Sequence, residues 1–181
     1  PYRNQGFGRF WDKDLYPCQH PPWGSLTAID LNKGEFKWQV RLGEYDELTA
    51  RGIPKTGASN LGGSIVTAGG LVFIGATKDL KFRAFDKDTG EELWMTRLPA
   101  SIHATPMTYT GPKSGRQFVV VPVGGGNKYN KEFIGKLMAS ALPRKGDTSE
   151  PILTSAVVRP KFTATYKRKD EKHPLALAPQ P

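Results

Sequence analysis

The chain of 181 residues contains a single cysteine, Cys18. One cysteine cannot close a disulfide within the chain, and no zinc-binding motif includes it, which excludes a disulfide framework and a zinc domain. No stretch reaches the ~18 consecutive apolar residues that a membrane-crossing helix requires. A lone thiol is compatible with export to the periplasm, where unpaired thiols are a liability.

Short motifs of several large enzyme classes are also missing. The sequence has no G-x-S-x-G nucleophile elbow, no phosphate-binding P-loop and no H-E-x-x-H zinc motif. The glycine run at residues 124–126 lacks the strand-to-helix setting that a dinucleotide fingerprint requires. Hydrolases of these classes and nucleotide-dependent enzymes therefore find little support.

The charge is unbalanced but not concentrated. The chain carries 26 basic and 17 acidic residues, a formal net charge of +9 at pH 7. The basic residues are scattered, and no basic helix or RNA-binding aromatic motif accompanies them. We therefore expect no nucleic-acid partner. An acidic partner, such as a cytochrome or anionic lipid head groups, fits this surface better.

The residue types that are abundant favour an all-β chain. Glycine (20 residues) and proline (15 residues) are abundant, and β-branched runs such as residues 119–121 are typical of strands. The length is sufficient for one domain with a real core.

One phrase occurs twice. Residues 26–42 read LTAIDLNKGEFKWQVRL, and residues 82–98, 56 positions later, read FRAFDKDTGEELWMTRL. The identical positions are Ala28/Ala84, Asp30/Asp86, Gly34/Gly90, Glu35/Glu91, Trp38/Trp94, Arg41/Arg97 and Leu42/Leu98. Such a fixed period indicates a repeat architecture, and the alternative of two unrelated hairpins is the weaker interpretation.

Each copy predicts a strand, a tight turn and a returning strand. In the first copy Asp30 can accept hydrogen bonds from backbone N–H groups two or three residues on, and Gly34 can adopt a positive φ. Trp38 then lies on the returning strand, where its large side chain can dock one sheet against the next.

The phrase A-x-D-x-x-x-G-x-x-x-W resembles the tryptophan-docking motif of the dehydrogenases that depend on pyrroloquinoline quinone (PQQ). In that family the motif joins the blades of an eight-bladed β-propeller. Further matching stretches are PPWGSL at residues 21–26, NLGGSIVTAGGLVFIGAT at 60–77, FRAFD at 82–86, LP at 98–99, HATPMTY at 103–109 and ALP at 141–143. Over residues 21–143 the chain resembles the C-terminal part of the glucose dehydrogenase branch, whose members oxidise sugars and polyols.

The resemblance implies about two and a half four-stranded blades. Residues 26–43 would end one blade, and residues 64–67, 71–76, 82–85 and 92–97 would form a complete one. Residues 105–109, 118–123 and 136–141 would form most of the last. No third phrase follows, and in the family a strand from the N-terminal region completes the last blade. Because an open array exposes apolar faces and sheet edges, we expect it to need the remaining blades, from the same or a separate chain.

Three regions are expected along the chain. Residues 1–25 form an aromatic and proline-rich loop segment, residues 26–143 the propeller blades, and residues 144–181 a basic, proline-rich tail that is extended when isolated. The chain begins with Pro1, without an initiating methionine or a signal peptide. A segment of a longer protein, a processed product and a separate subunit all remain open.

In the family the quinone lies on the propeller axis beside calcium or a similar hard cation. Most cation ligands and the catalytic base come from earlier blades, so we assign no catalytic residue and no metal ligand here. The expected cofactor-binding residues are Asn60, Leu61, Gly62, Asp79, Gly126 and Asn127. A plain turn is the alternative for the first three residues.

Two of these residues, Asp79 and Gly126, and the neighbouring candidate His103 are interpreted separately. A hairpin-turn aspartate is as good an interpretation of Asp79 as an axial acid. Gly126 stands where many glucose dehydrogenases have a histidine, which puts the role of that imidazole in doubt here. His103 is interpreted as a packing or surface histidine. The loop residues Lys128, Tyr129 and Lys131 are placed near the entrance from their context alone.

The functional hypothesis is a PQQ-dependent dehydrogenase of the glucose or polyol type. It would oxidise an alcohol or hemiacetal carbon and pass electrons to quinone or cytochrome in the periplasm, with membrane association as a further expectation. The alternative is a non-catalytic, propeller-derived scaffold subunit of a larger complex. An outer-membrane assembly propeller is disfavoured by residues 21–24 and 104–109.

Overall fold

The computed structural model describes residues 10–126, 133–141 and 154–157. Its regular secondary structure is almost entirely antiparallel strand. The strands are β1 Ser25–Asp30, β2 Glu35–Arg41, β3 Ser64–Val66, β4 Leu71–Ile74, β5 Lys81–Asp86, β6 Glu92–Arg97, β7 Met107–Thr110, β8 Gln117–Gly125, β9 Phe133–Ala141 and β10 Thr154–Val157. One short helix, α1 (Asp46–Thr49), follows β2. None of the helices in the described ranges is long and apolar enough to cross a membrane.

The strands form three sheets. The first contains β1 and β2, the middle sheet has the order β3-β4-β5-β6, and the last has the order β7-β8-β9-β10. The sequence predicted the four strands of the middle sheet to within a few residues. The all-β, bladed prediction is confirmed.

Both copies of the phrase fold as the same hairpin. Ala28 pairs with Trp38 and Ala84 pairs with Trp94, and the register shifts after each alanine. The Asp86 carboxylate accepts from the backbone N–H groups of Asp88 and Thr89, both at 2.8 Å, and the Asp30 carboxylate binds its own turn in the same way. Gly34 and Gly90 have φ values of +71° and +76°. The predicted turn chemistry is therefore confirmed in both copies.

The first tryptophan docks the first sheet onto the middle one. Trp38 Nε1 donates to the carbonyl of Lys87 over 2.9 Å. Its ring covers Gly90, where a Cβ atom would come within 2.7 Å of a ring carbon. Buried apolar residues fill the rest of this interface: Leu42, Val72, Ile74, Ala76 and Phe85. Each tryptophan of the repeat is half-buried in this chain.

A second apolar core joins the middle sheet to the last one. Its buried members are Phe82, Leu98, Ala100, Ile102, Val119, Val121, Val123 and Met138. Trp94 packs against it, with its ring edge-on to Phe82 at 5.9 Å between centroids. The two cores share the middle sheet because alternate residues of its strands point to opposite faces.

The last sheet differs from the expectation. The family resemblance gives its fourth position to a strand from the N-terminal region of the complete propeller, whereas β10 occupies that position in this chain. Thr154 of β10 pairs with Ala139 of β9, and Val157 pairs with Lys136. Four residues of the predicted tail are thus a strand. The rest of residues 144–181, like residues 1–9, lies outside the described part.

Candidate functional site

Four chain segments meet at one end of the middle and last sheets. They are residues 60–63 before β3, residues 75–79 after β4, residues 101–105 before β7, and residues 124–126 at the end of β8. Antiparallel pairing brings the start of one strand beside the end of its neighbour, so all four segments lie at the same sheet end. The sequence placed its candidate residues in three of them.

The segment before β3 is fixed by its backbone. Leu61 N–H donates to the carbonyl of Ala76 over 2.7 Å, and Asn60 forms a β-bridge with Thr77. Gly62 has a φ of +153°, and a Cβ atom there would lie 3.1 Å from the Cβ of Ala76. Asn60, Leu61 and Gly62 are nevertheless exposed. This backbone segment is fixed by hydrogen bonds but exposed to solvent, so a ligand can approach it closely.

The glycine run at the end of β8 forms the second open edge. Gly125 N–H donates to the carbonyl of Ser101 over 3.1 Å, and Gly125 and Gly126 have φ values of +64° and +59°. A Cβ atom at Gly126 would collide with the ring of Phe133, whereas one at Gly124 would meet nothing within 4 Å. Residues 60–63 and 124–126 are called the glycine rim below. The predicted Asn127, Lys128, Tyr129 and Lys131 lie outside the described residues.

His103 connects the two edges of the glycine rim. Its Nδ1 lies 3.0 Å from the carbonyl oxygen of Leu61, and its Nε2 lies 2.8 Å from Ser101 Oγ. The sequence interpretation of His103 as a surface or packing residue missed this contact. The available signal was a histidine in the segment LPASIHATP (residues 98–106), at a position where the family usually has another residue.

Asp79 occupies a different environment from the glycine rim. Its carboxylate forms an ion pair of 2.5 Å with the guanidinium of Arg83, and the two side chains are 2% and 1% exposed. The same carboxylate accepts from Thr77 Oγ1 at 2.5 Å and from the backbone N–H groups of Glu44 and Lys81, both at 3.1 Å. Four donors surround it, so the carboxylate points into the protein. Its predicted role beside a cofactor stays a prediction.

An ionic cluster extends from this pair to helix α1. Lys81 Nζ lies 2.7 Å from Glu44 Oε1 and 2.6 Å from Asp46 Oδ1. Arg97 binds the other oxygen of Asp46 at 2.6 Å. The cluster ties the segment that follows β2 to the middle sheet.

The ionisation of this cluster follows from its hydrogen bonds. Burial by itself raises the pKa of Glu44, but the hydrogen bonds from Lys81 and Thr49 outweigh burial and lower that pKa below 4.5. Hydrogen bonds from Lys81 and Arg97 likewise lower the pKa of Asp46 below 3.8. Burial by itself lowers the pKa of Lys81, yet Asp46 and Glu44 raise it above 10.5. All three groups are therefore held in their charged forms.

Metal ligands were not expected in this chain. Among the described residues, no group of three or more histidine, cysteine, aspartate or glutamate side chains is arranged to hold a metal ion. The carboxylates of Asp79 and Glu44 are already engaged by Arg83 and Lys81.

Comparison with known proteins gives these features a context. Residues 2–119 match the family model described as PQQ glucose/ethanol/alcohol dehydrogenase, β-propeller domain. The chain is 44% identical over 122 residues to a quinate/shikimate dehydrogenase (quinone) from Acinetobacter baylyi, which covers 65% of this chain and 15% of that protein. It is 41% identical over 131 residues to the quinoprotein glucose dehydrogenase A of Acinetobacter calcoaceticus, covering 70% of this chain and 16% of the relative.

A third relative and one solved structure are also similar to this chain. The glycerol dehydrogenase large subunit of Gluconobacter thailandicus is 39% identical over 141 residues, which is 74% of this chain and 19% of that subunit. The crystal structure of the quinohemoprotein alcohol dehydrogenase from Comamonas testosteroni aligns with 25% identity and a TM-score of 0.49, over 74% of this chain and 19% of that one. The chain thus spans less than a fifth of the length of each of these proteins.

Proposed function

Because the chain belongs to the β-propeller family of PQQ-dependent glucose, ethanol and alcohol dehydrogenases, we propose that it forms consecutive blades of such an enzyme. The complete protein would oxidise an alcohol or hemiacetal carbon of a sugar, polyol or other alcohol to a carbonyl. Its electrons would pass to quinone or to a cytochrome. We place this reaction in the periplasm, at or near the membrane.

The single observation that carries the proposal is the family match over residues 2–119. The described structure supports it through the docking of Trp38 on Lys87 and Gly90 of the next sheet. The relatives are named as dehydrogenases of quinate, glucose and glycerol, which supports a hydroxylated substrate of that general kind.

The glycine rim fits one side of a PQQ site. PQQ is a flat, polycyclic quinone with carboxylate groups, so it needs open backbone edges and hydrogen-bond donors. The exposed Asn60 amide can donate to such oxygens, since its hydrogen bond to the carbonyl of Ala58 is long, at 3.5 Å. The Leu61 side chain is 55% exposed and offers an apolar surface to a ring. Gly124 leaves open space.

The cofactor would supply the redox chemistry, since the quinone accepts two electrons and two protons from the alcohol. The residues of this chain would bind and orient it. Asn60 would hold an oxygen, and Leu61, Gly62 and Gly126 would shape the edge against which the ring lies. The catalytic base and the ligands of calcium, or a similar cation, would come mainly from the other blades.

The other blades would attach at the first sheet. Within the described residues this sheet contains β1 and β2, whereas the other two sheets each contain four strands. Ile29 and Phe36 of this sheet are 51% and 67% exposed. Burial of such side chains is favourable, so the remaining blades are the partner that this face would pack against.

The test uses the complete protein that contains this chain, prepared without cofactor. It is reconstituted with PQQ and Ca²⁺ and supplied with an artificial electron acceptor dye. Glucose, glycerol, quinate and ethanol are tested separately. PQQ-dependent dye reduction with at least one of them is expected. A folded protein that takes up no PQQ and reduces no dye would contradict the proposal and favour the scaffold alternative.

A further inference from the structure

We propose that His103 is a positioning residue of the glycine rim. This histidine holds the segment before β3 in place relative to the end of β8. This inference rests on the proposed function, because the rim has a catalytic purpose only if PQQ lies against it. His103 does not need to touch the cofactor. It would act through the backbone of Leu61.

The hydrogen-bond chemistry fixes which ring nitrogen carries a proton. The carbonyl oxygen of Leu61, 3.0 Å from His103 Nδ1, can only accept, so Nδ1 must be the N–H donor. In the neutral imidazole Nε2 is then an acceptor, and the hydroxyl of Ser101, 2.8 Å away, is its donor. The imidazole thus spans two segments with a donor at one end and an acceptor at the other.

Ser101 continues the connection to the other edge of the rim. This residue is fully buried, so its position is fixed by packing. Its carbonyl oxygen accepts from Gly125 N–H over 3.1 Å. An uninterrupted path therefore runs from Leu61 through His103 and Ser101 to Gly125, and it joins the middle sheet to the last one.

The location of this path explains why an imidazole matters. The Leu61 N–H is held by Ala76 over 2.7 Å, while its carbonyl is held by His103. Gly62 follows directly and packs on His103 as well, since a Cβ atom there would lie 3.2 Å from the His103 carbonyl oxygen. Loss of the imidazole would free one side of the peptide that joins Leu61 to Gly62, at the point proposed to face the cofactor.

The test compares four forms of the complete protein without cofactor: wild type, His103→Leu, His103→Gln and Ser101→Ala. The matched control is His20→Leu, the same substitution at an exposed histidine outside the glycine rim. Two quantities are measured. The first is amide hydrogen exchange in the peptide that covers residues 59–66. The second is the dissociation constant for PQQ, from equilibrium dialysis.

His103→Leu is expected to speed exchange in this peptide severalfold and to weaken PQQ binding about tenfold, since one hydrogen bond of about 1.4 kcal/mol corresponds to that factor. His103→Gln, which keeps an N–H donor, is expected to restore most of both. Ser101→Ala should show a smaller effect of the same kind. His20→Leu should leave both quantities at wild-type values.

Two results would overturn the inference. Unchanged exchange in His103→Leu would show that the imidazole does not hold the segment, whether or not PQQ binds. Faster exchange with an unchanged PQQ affinity would show that the contact is structural only. If wild type itself binds no PQQ, the proposed function fails, and the exchange data still decide separately whether His103 fixes the backbone.

Discussion

The two sheet junctions of this chain use different chemistry. At the first junction, between the first and middle sheets, Trp38 donates to Lys87, Lys37 pairs with Asp88 at 2.5 Å, and a buried ionic cluster lies beside the apolar core. At the second junction, between the middle and last sheets, the core is continuous and apolar from Phe82 to Met138. Each junction belongs to the same repeating architecture.

Strand β5 shows how one sheet serves both junctions. Phe82 faces the second junction and its neighbour Arg83 faces the first, because successive side chains of a strand point to opposite faces. Both side chains are 1% exposed. Trp38 therefore docks on the next turn at the first junction, whereas Trp94 packs against the apolar core of the second one.

Arg83→Met is expected to have the largest effect on the first junction. The guanidinium lies 2.5 Å from Asp79, 3.7 Å from Glu44 and 3.4 Å from Glu92. Removal of a buried partner leaves carboxylates uncompensated, which costs about 3–5 kcal/mol. The denaturant midpoint of the complete protein measures this. Arg97→Met, whose ion pair with Asp46 is half-exposed, is the control and should change stability by less than about 1 kcal/mol.

Phe82→Ala is the matching change at the second junction. It should cost about 3 kcal/mol, the lower end of the range for such truncations, because the open groove beside Trp94 and Phe73 lets the site collapse partly. The same denaturant midpoint measures it. A cost similar to that of an exposed residue would mean that the second junction is not closed in solution.

Gly90→Ala tests the tryptophan docking itself. Gly90 has a φ of +76°, and a Cβ atom would also strike the Trp38 ring. Gly115 has a φ of +63° with nothing within 4 Å of a Cβ atom, so Gly115→Ala reports backbone strain alone. Strain costs about 1 kcal/mol at each site, and Gly90→Ala should cost about 1 kcal/mol more. Equal thermal shifts would argue against docking.

The smallest expected effect is on the pH dependence of stability, which should differ between the two junctions. The pKa values of Glu44 and Asp46 are lowered below 4.5 and 3.8, so their stabilisation is complete above those values and is lost as the pH falls through the lower folded values. Lys81→Met should therefore weaken the acid-dependent part of the melting curve. Phe82→Ala should leave it as in wild type. Identical acid dependence in Lys81→Met and wild type would contradict this assignment.

The sequence was informative where the determinants are local. The period of the phrase predicted both hairpins, the Asp30 and Asp86 turns and the strands of the middle sheet, because residue spacing and turn chemistry act over a few positions. Trp38 was predicted to dock a neighbouring sheet, and the contact with Lys87 confirms it.

Contacts between residues far apart in the sequence could not be predicted in this way. The hydrogen bond from Lys81 to Asp46 of helix α1 joins residues 35 positions apart, and the contact of His103 with Leu61 joins residues 42 positions apart. Strand β10, which pairs with β9, lies in the region predicted to be a tail. No local pattern specifies such pairs. The cofactor role of Asn60, Leu61, Gly62, Asp79, Gly126 and Asn127 stays a prediction.

The most direct test of the central claim uses Gly124→Val in the complete protein. A Cβ atom at Gly124 meets nothing within 4 Å in this chain, so the valine should fill the space proposed for the cofactor without disturbing the described fold. PQQ is titrated against cofactor-free wild type and variant, with the melting temperature of each as a control. We predict equal melting temperatures and at least a tenfold weaker PQQ affinity in the variant. Equal affinity would contradict a cofactor site at the glycine rim.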